Sequence, residues 1–170
     1  TADLEHATAA SISRIADNYL TQLGKNTHER RVITDKLPMN FFHVGLIKMA
    51  FPDATVIHCQ RNPLDTCLSI YKNFFAAQGH NYSYDLAELA RYYAHYQDLM
   101  RYWQKTMPGF MYELSYEALV KNQEEESKKL IEASGLDWHA DCLDFHETKR
   151  QVLTLSATQV RQPMYDKSVE

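Results

Sequence analysis

Two side chains in the stretch VIHCQRNPLDTCLSIY, Arg61 and Ser69, are of the types that hold a phosphate. A guanidinium presents a planar fork of donors that matches two phosphate oxygens at once, and a hydroxyl supplies one more donor. Between them the chain turns at Asn62-Pro63, a capping residue followed by a residue suited to the first helical position. The arginine therefore closes an apolar strand and the serine rides on the helix that follows. Ser69 lies roughly 9 Å along the helix axis from Pro63, so an anion held by both groups sits beside the helix and not at its tip. A second cation, Lys36, follows the β-branched run Val32, Ile33, Thr34. In a parallel α/β sheet ligands collect at the carboxyl ends of strands, where helix N-termini point into the crevice. A right-handed crossover between two such strands would bring Lys36 and Arg61 to one rim. Each group also has an ordinary structural use: the arginine pairs with a carboxylate such as Asp65, the lysine is solvated, and the mid-helix serine faces water.

The elements that must position these groups follow from hydrophobic period. Thr8 to Leu23 carries Ala9, Ile12, Ile15, Ala16, Tyr19, Leu20 and Leu23 at helical intervals, and Gly24 stands where a helix would stop. RRVITDKLP reads as a short strand over residues 31–35, bounded by Pro38. NFFHVGLIKMAF reads as a helix capped by Asn40. ATVIHCQ reads as a second strand, apolar on both faces at Val56, Ile57 and Cys59, as inside a parallel sheet. The next helix has an apolar stripe, Leu64, Cys67, Leu68, Tyr71, Phe74 and Phe75, which reads as its core-facing side, and a polar side of Thr66, Ser69, Lys72 and Asn73. Tyr84 to Thr106 reads as a long helix whose tyrosines pack, GFMYELSY as a further strand, and Asn122 to Ser134 as a helix ended by Gly135.

Length and charge set the bounds. A chain of 170 residues, 45% hydrophobic, is enough for one domain with a core. A net charge of −4 excludes a surface built to coat nucleic acid or an anionic membrane, so an anion site here is local. Three cysteines without close spacing read as thiols of a reducing, cytoplasmic compartment. No apolar run approaches membrane-spanning length, and the first residues lack the order of a signal peptide. The chain starts without a methionine and reads as truncated at both ends. Cys142 and His146 have no second pair at metal-site spacing, so no metal is expected.

TDKLPMNFFHVGLIKMAFPDATVIHCQRNPLDTCLSIYKNF, followed by MYELSYEALVKN, resembles the core of sulfotransferases that use 3′-phosphoadenosine 5′-phosphosulfate. The likeness is greatest to the bacterial branch joined to tetratricopeptide repeats and related to tyrosylprotein sulfotransferases, and it runs on to TLSATQVRQPMY. Its most specific element is a strand-Arg-x-Pro-x-Asp-helix-Ser pattern, matched by Arg61, Pro63, Asp65 and Ser69. The resemblance implies an α/β fold: a three-layer core like that of P-loop NTPases, with a parallel sheet and a largely helical C-terminal half, in one sulfotransferase-like domain. It implies that Arg61 and Ser69 hold the 3′-phosphate, that Tyr116 lies by the adenine, and that Thr154 and Ser156 lie near the nucleotide. It implies sulfuryl transfer to a hydroxyl or amine of a small-molecule, carbohydrate or peptide acceptor, with the phosphosulfate as co-substrate and no metal.

Two departures from the pattern matter. Lys36 falls where the cytosolic small-molecule branch has a histidine base. A lysine ordinarily carries its proton at neutral pH, so the role it implies is charge stabilisation on the sulfuryl group or leaving phosphate, not proton removal. The lysine-bearing loop that binds the 5′-phosphosulfate is not found in these residues and is expected before Thr1; for the basic loop over the 3′-phosphate, Arg161 and Lys167 are the nearest residues. Two other readings stay open from residues alone, another α/β nucleotide enzyme such as a kinase and a noncatalytic binding module.

Overall fold

The computed structural model describes residues 8–27, 32–75, 79–147 and 162–164. Thr154, Ser156, Arg161 and Lys167 fall outside the described residues. The chain divides into two compact units, one of Thr1–Ala54 with Tyr96–Phe110 and one of Thr55–His95 with Met111–Glu170.

In the first unit, helix α1 spans Ala9–Thr27. It opens on a reciprocal cap: the Thr8 N–H donates to Ser11 Oγ (2.9 Å) and the Ser11 N–H to Thr8 Oγ1 (3.2 Å). The helix does not stop at Gly24, since a single glycine inside a helix costs only about 1 kcal/mol, and it runs on to Thr27. Residues 32–37 form no strand. The β-branched run alone cannot make one, since a strand exists through its ladder partners; here Val32 is 51% exposed and the described sheet has two strands, both elsewhere. The shared rim expected for Lys36 and Arg61 rested on that strand, which the described residues do not form. Lys36 itself is exposed.

Asn40 caps no helix. Pro38 starts a 3₁₀ turn, Pro38–His43, with extended Leu37 as its cap, and the Asn40 amide donates instead to Asp35 Oδ2 at 3.3 Å. Helix α2, Val44–Ala50, follows directly and buries Val44. Gly45 on α2 accepts the Trp103 indole at a distance that leaves no room for a side chain: a Cβ there would lie 3.0 Å from Trp103 Cζ3. The same indole Nε1–H donates to the Phe41 carbonyl at 2.9 Å, so ring position is fixed by packing and by a hydrogen bond together.

In the second unit, strand β1 (Val56–Gln60) leads through helix α3 (Pro63–Lys72), a 3₁₀ turn at Asn81–Tyr84 and the start of helix α4 (Leu86–Thr106). Asp85 caps α4, accepting from the N–H groups of Ala87 and Glu88. Strand β2 (Met111–Ser115) runs straight into helix α5 (Tyr116–Lys121), and helix α6 (Gln123–Ala133) follows. Gly135, at φ +67°, closes α6 in the left-handed conformation, with the Leu136 N–H returning to the Ile131 carbonyl at 3.1 Å. β1 and β2 pair in parallel, in register from Val56 with Met111 to Gln60 with Ser115. The architecture is thus a mixed helix and strand fold with a small parallel sheet.

Two faces differ from expectation. Val56 and Met111 share one face of the sheet with a polar group: His58 Nδ1 lies 2.6 Å from Glu113 Oε2, and the Gln60 amide donates to the same oxygen. On α3 the inward side is Asp65, Thr66, Cys67 and Ile70, while Leu64 and Phe74 are 79% and 78% exposed. The side expected to face the core is therefore largely open, at Leu64, Leu68, Tyr71 and Phe74.

Candidate functional site

The residues that could hold an anion stand where β1 and β2 end together. The register pairs Gln60 with Ser115, so Arg61 and Asn62 leave the sheet beside Tyr116 and Glu117. Each strand is followed at once by a helix. Asn62 caps α3 with its side-chain oxygen, accepting from the Leu64 N–H at 2.8 Å and the Asp65 N–H at 3.4 Å, and Pro63 takes the first helical position as the sequence predicts. Ser115 caps α5, accepting from the Ala118 N–H at 3.2 Å.

The Arg61 guanidinium lies over the Tyr116 ring, 5.1 Å from its centroid, a cation on the negative face of an aromatic quadrupole. Arg61 also has the structural use weighed above: its Nη2 is 3.6 Å from Asp65 Oδ2, an ion contact longer than a hydrogen bond. The side chain is nevertheless 28% exposed, so a ligand can reach it. Ser69 sits one turn beyond Asp65 on α3, at i+4, and is exposed. Arg61, Asp65 and Ser69 thus recur every four residues along one side of the strand-to-helix segment. The structure brings Arg61 and Tyr116 into contact and carries Ser69 on that side; Lys36 belongs to the other compact unit.

Glu117 is the member of this site that sequence reasoning missed. Its Oε1 accepts the Asn62 main-chain N–H at 2.7 Å, and its Oε2 accepts the Ser115 hydroxyl at 3.2 Å. Burial alone would push this carboxyl up. Hydrogen bonds from the main-chain N–H groups of Asn62 and Glu117 and from Ser115, with the Arg61 charge, outweigh burial and hold it below the usual glutamate range. The signal lay in SYEALV, where the glutamate follows the ring residue directly, but its partner is a main-chain group that no side-chain pattern reveals. Tyr93 of α4 lies near the same carboxylate; burial first, then Cys67 and Glu117, push its hydroxyl up.

The lowered value has a consequence for stability. The carboxylate's contribution is complete above the ordinary glutamate range, about pH 4.3, and is lost as pH falls through the lower native value. Glu117→Gln is expected to flatten the acid limb of the urea midpoint plotted against pH. A limb unchanged from wild type would assign acid sensitivity to other carboxylates.

Cation, hydroxyl and aromatic ring at the carboxyl edge of parallel strands suit a ligand that joins an anion to a planar base. Among the described residues no cluster of three or more histidine, cysteine or carboxylate groups could hold a metal ion, and no helix is long and apolar enough to cross a membrane.

Comparison with known proteins gives the chain a family. An uncharacterized protein of Aquifex aeolicus (strain VF5) is 40% identical over 157 residues, which cover 91% of this chain and 21% of that relative. The chain thus spans about a fifth of the length of the curated relative it matches. No solved structure matches it. The family model described as the sulfotransferase family matches residues 1–140, a stretch that includes both strand ends, Arg61, Ser69 and Tyr116, and the chain belongs to that family.

Proposed function

We propose that this chain is the nucleotide-binding core of a sulfotransferase that uses 3′-phosphoadenosine 5′-phosphosulfate, of the branch linked to tetratricopeptide repeats and related to tyrosylprotein sulfotransferases. The observation that carries the reading is the Arg61 guanidinium held against the Tyr116 ring on two neighbouring strand-end turns. In this reading Arg61 takes the 3′-phosphate through paired charge-assisted hydrogen bonds, with Ser69 adding a hydroxyl from one turn past Asp65. Tyr116 flanks the adenine, the guanidinium covering part of one ring face. Ser156 adds a contact from the C-terminal segment. Lys36 is the cationic residue assigned to charge stabilisation.

The reaction in this reading is in-line attack by an acceptor hydroxyl or amine on sulfur. A bond from the acceptor atom to sulfur forms, the bond from sulfur to the phosphate oxygen breaks, adenosine 3′,5′-bisphosphate leaves, and the acceptor's proton passes to solvent. Catalysis of that kind is mostly alignment and charge neutralisation, as in phosphoryl transfer. The fold proposed for the whole domain is the three-layer arrangement akin to P-loop NTPases, and the acceptor is a small molecule, carbohydrate or peptide. The location proposed is the cytoplasm.

The test is titration calorimetry of the full-length protein with adenosine 3′,5′-bisphosphate and with adenosine 5′-monophosphate. Tighter binding of the bisphosphate by about 100-fold is expected, the worth of a bidentate arginine–phosphate contact. Equal affinities would defeat the reading.

A further inference from the structure

Arg61 and Tyr116 are 55 positions apart in the chain, yet the structure holds them in contact, and one side chain joins their two turns. The Glu117 carboxylate follows Tyr116 directly and accepts the N–H of the peptide unit that joins Arg61 to Asn62, at 2.7 Å. Its second oxygen accepts from Ser115, the residue just before Tyr116, at 3.2 Å. Glu117 thus brackets the ring residue on one strand end and grips the main chain of the cation on the other. The guanidinium to ring distance of 5.1 Å is what this bracket spans.

We propose that Glu117 is a positioning residue: by holding the Arg61–Asn62 peptide it sets the separation between the phosphate-binding cation and the adenine-flanking ring. The inference rests on the proposed function above and adds to it a residue that touches neither phosphate nor base. Two features of the site make such a device necessary. Arg61 has an ion contact with Asp65, 3.6 Å away on α3, which draws the guanidinium toward the helix. The sheet below has two strands among the described residues, so side-chain hydrogen bonds supply registry that a wider sheet would otherwise provide. Glu117 opposes the pull of Asp65 at the main chain, where reach decides the geometry, and its charge faces the same guanidinium.

Reach and charge are separable by substitution. Glu117→Gln keeps the length of the side chain and an oxygen that accepts the Asn62 N–H, but removes the charge. Glu117→Asp keeps the charge and shortens the arm by one methylene. Glu117→Ala removes both. The measurement is calorimetry of the full-length protein with adenosine 3′,5′-bisphosphate and adenosine 5′-monophosphate, read as the ratio of the two affinities. The ratio counts folded molecules only in relation to each other, so a loss of stability by itself leaves it in place.

Wild type is expected to favour the bisphosphate. Glu117→Gln should keep that preference to within about fivefold, whereas Glu117→Asp and Glu117→Ala should each lose tenfold or more, because a displacement near 1 Å is enough to misplace a binding group by that measure. Wild-type preference with an undiminished ratio in Glu117→Asp and Glu117→Ala would overturn the positioning role and leave the proposed function standing. Loss in Glu117→Gln with retention in Glu117→Asp would likewise overturn it, by making charge the operative property. A wild type without preference would overturn both. If the alanine variant fails to fold, the Gln and Asp pair decides the question alone.

Discussion

Alanine at Arg61 is expected to weaken binding of adenosine 3′,5′-bisphosphate to the full-length protein by about 100-fold while leaving adenosine 5′-monophosphate within about threefold. The expectation follows from what the guanidinium supplies. Each net charge-assisted hydrogen bond contributes about 1.5–3 kcal/mol, and a fork matched to two phosphate oxygens makes two of them. Lysine at the same position should recover no more than about tenfold of the loss, since its compact ammonium offers charge without the fork. The substitution also removes the partner of Asp65 and the cation beside Glu117, so some loss of stability accompanies it. That loss acts equally on both nucleotides. An equal drop for the two, or none for either, would leave Arg61 with its pairing to Asp65 as its whole role.

The second large effect concerns packing. Leu89 on α4 is 1% exposed, the most deeply buried hydrophobic side chain of the described residues, and Ser83, just before the same helix, is fully buried. Among the described residues the buried hydrophobic set is Val44, Leu89, Met100 and Leu114. Leu89→Ala is expected to cost about 2–5 kcal/mol, the transfer free energy of the lost methyl groups plus the cavity left behind. Against a total of about 5–15 kcal/mol for a domain, that is a large share. A urea titration followed by tryptophan fluorescence and by far-ultraviolet circular dichroism reads it as a lower midpoint at unchanged slope. An unchanged midpoint would mean that the surroundings collapse fully onto the vacated space.

What was legible in the sequence divides along a physical line. Local signals carried through: Asn62-Pro63 starts α3, Gly135 closes α6, and strands form within the stretches ATVIHCQ and GFMYELSY. These features are decided within a few residues by capping, by positive φ and by side-chain shape. Signals that depend on a partner did not carry through. Val32, Ile33 and Thr34 have the composition of a strand but no ladder among the described residues, and Asn40 has the chemistry of a cap but follows a proline that begins its turn earlier. On α3 the period of the apolar residues was correctly helical, yet of its stripe Cys67 is half-buried while Leu64, Leu68 and Tyr71 are exposed, and Asp65, Thr66 and Ile70 share the inward side. Period locates a stripe on a helix; it does not say which neighbour is present to cover it.

The candidate site shows the same division. Arg61 and Ser69 were singled out by residue type and spacing, which a sequence displays, and Tyr116 by the resemblance; the structure places Arg61 over the Tyr116 ring. Glu117 was not singled out, since its partner at the other strand end is a main-chain N–H, and a main-chain group has no letter of its own. Parallel pairing supplies the missing information: once Gln60 stands opposite Ser115, the two residues after each are brought side by side.

That pairing also governs when the site comes into being. Asn62 and Glu117 are joined across 55 positions of chain, so closing the contact means ordering a long loop before any reward from the ladder arrives, and parallel pairings of this kind form late and slowly. On the ribosome the arginine is synthesised well before the ring that will lie under it, and the two halves of the candidate site are not yet together in the interval. A ligand that recognises both halves acts only on the finished pairing, and through mass action it protects a newly made chain at the step where that chain is slowest.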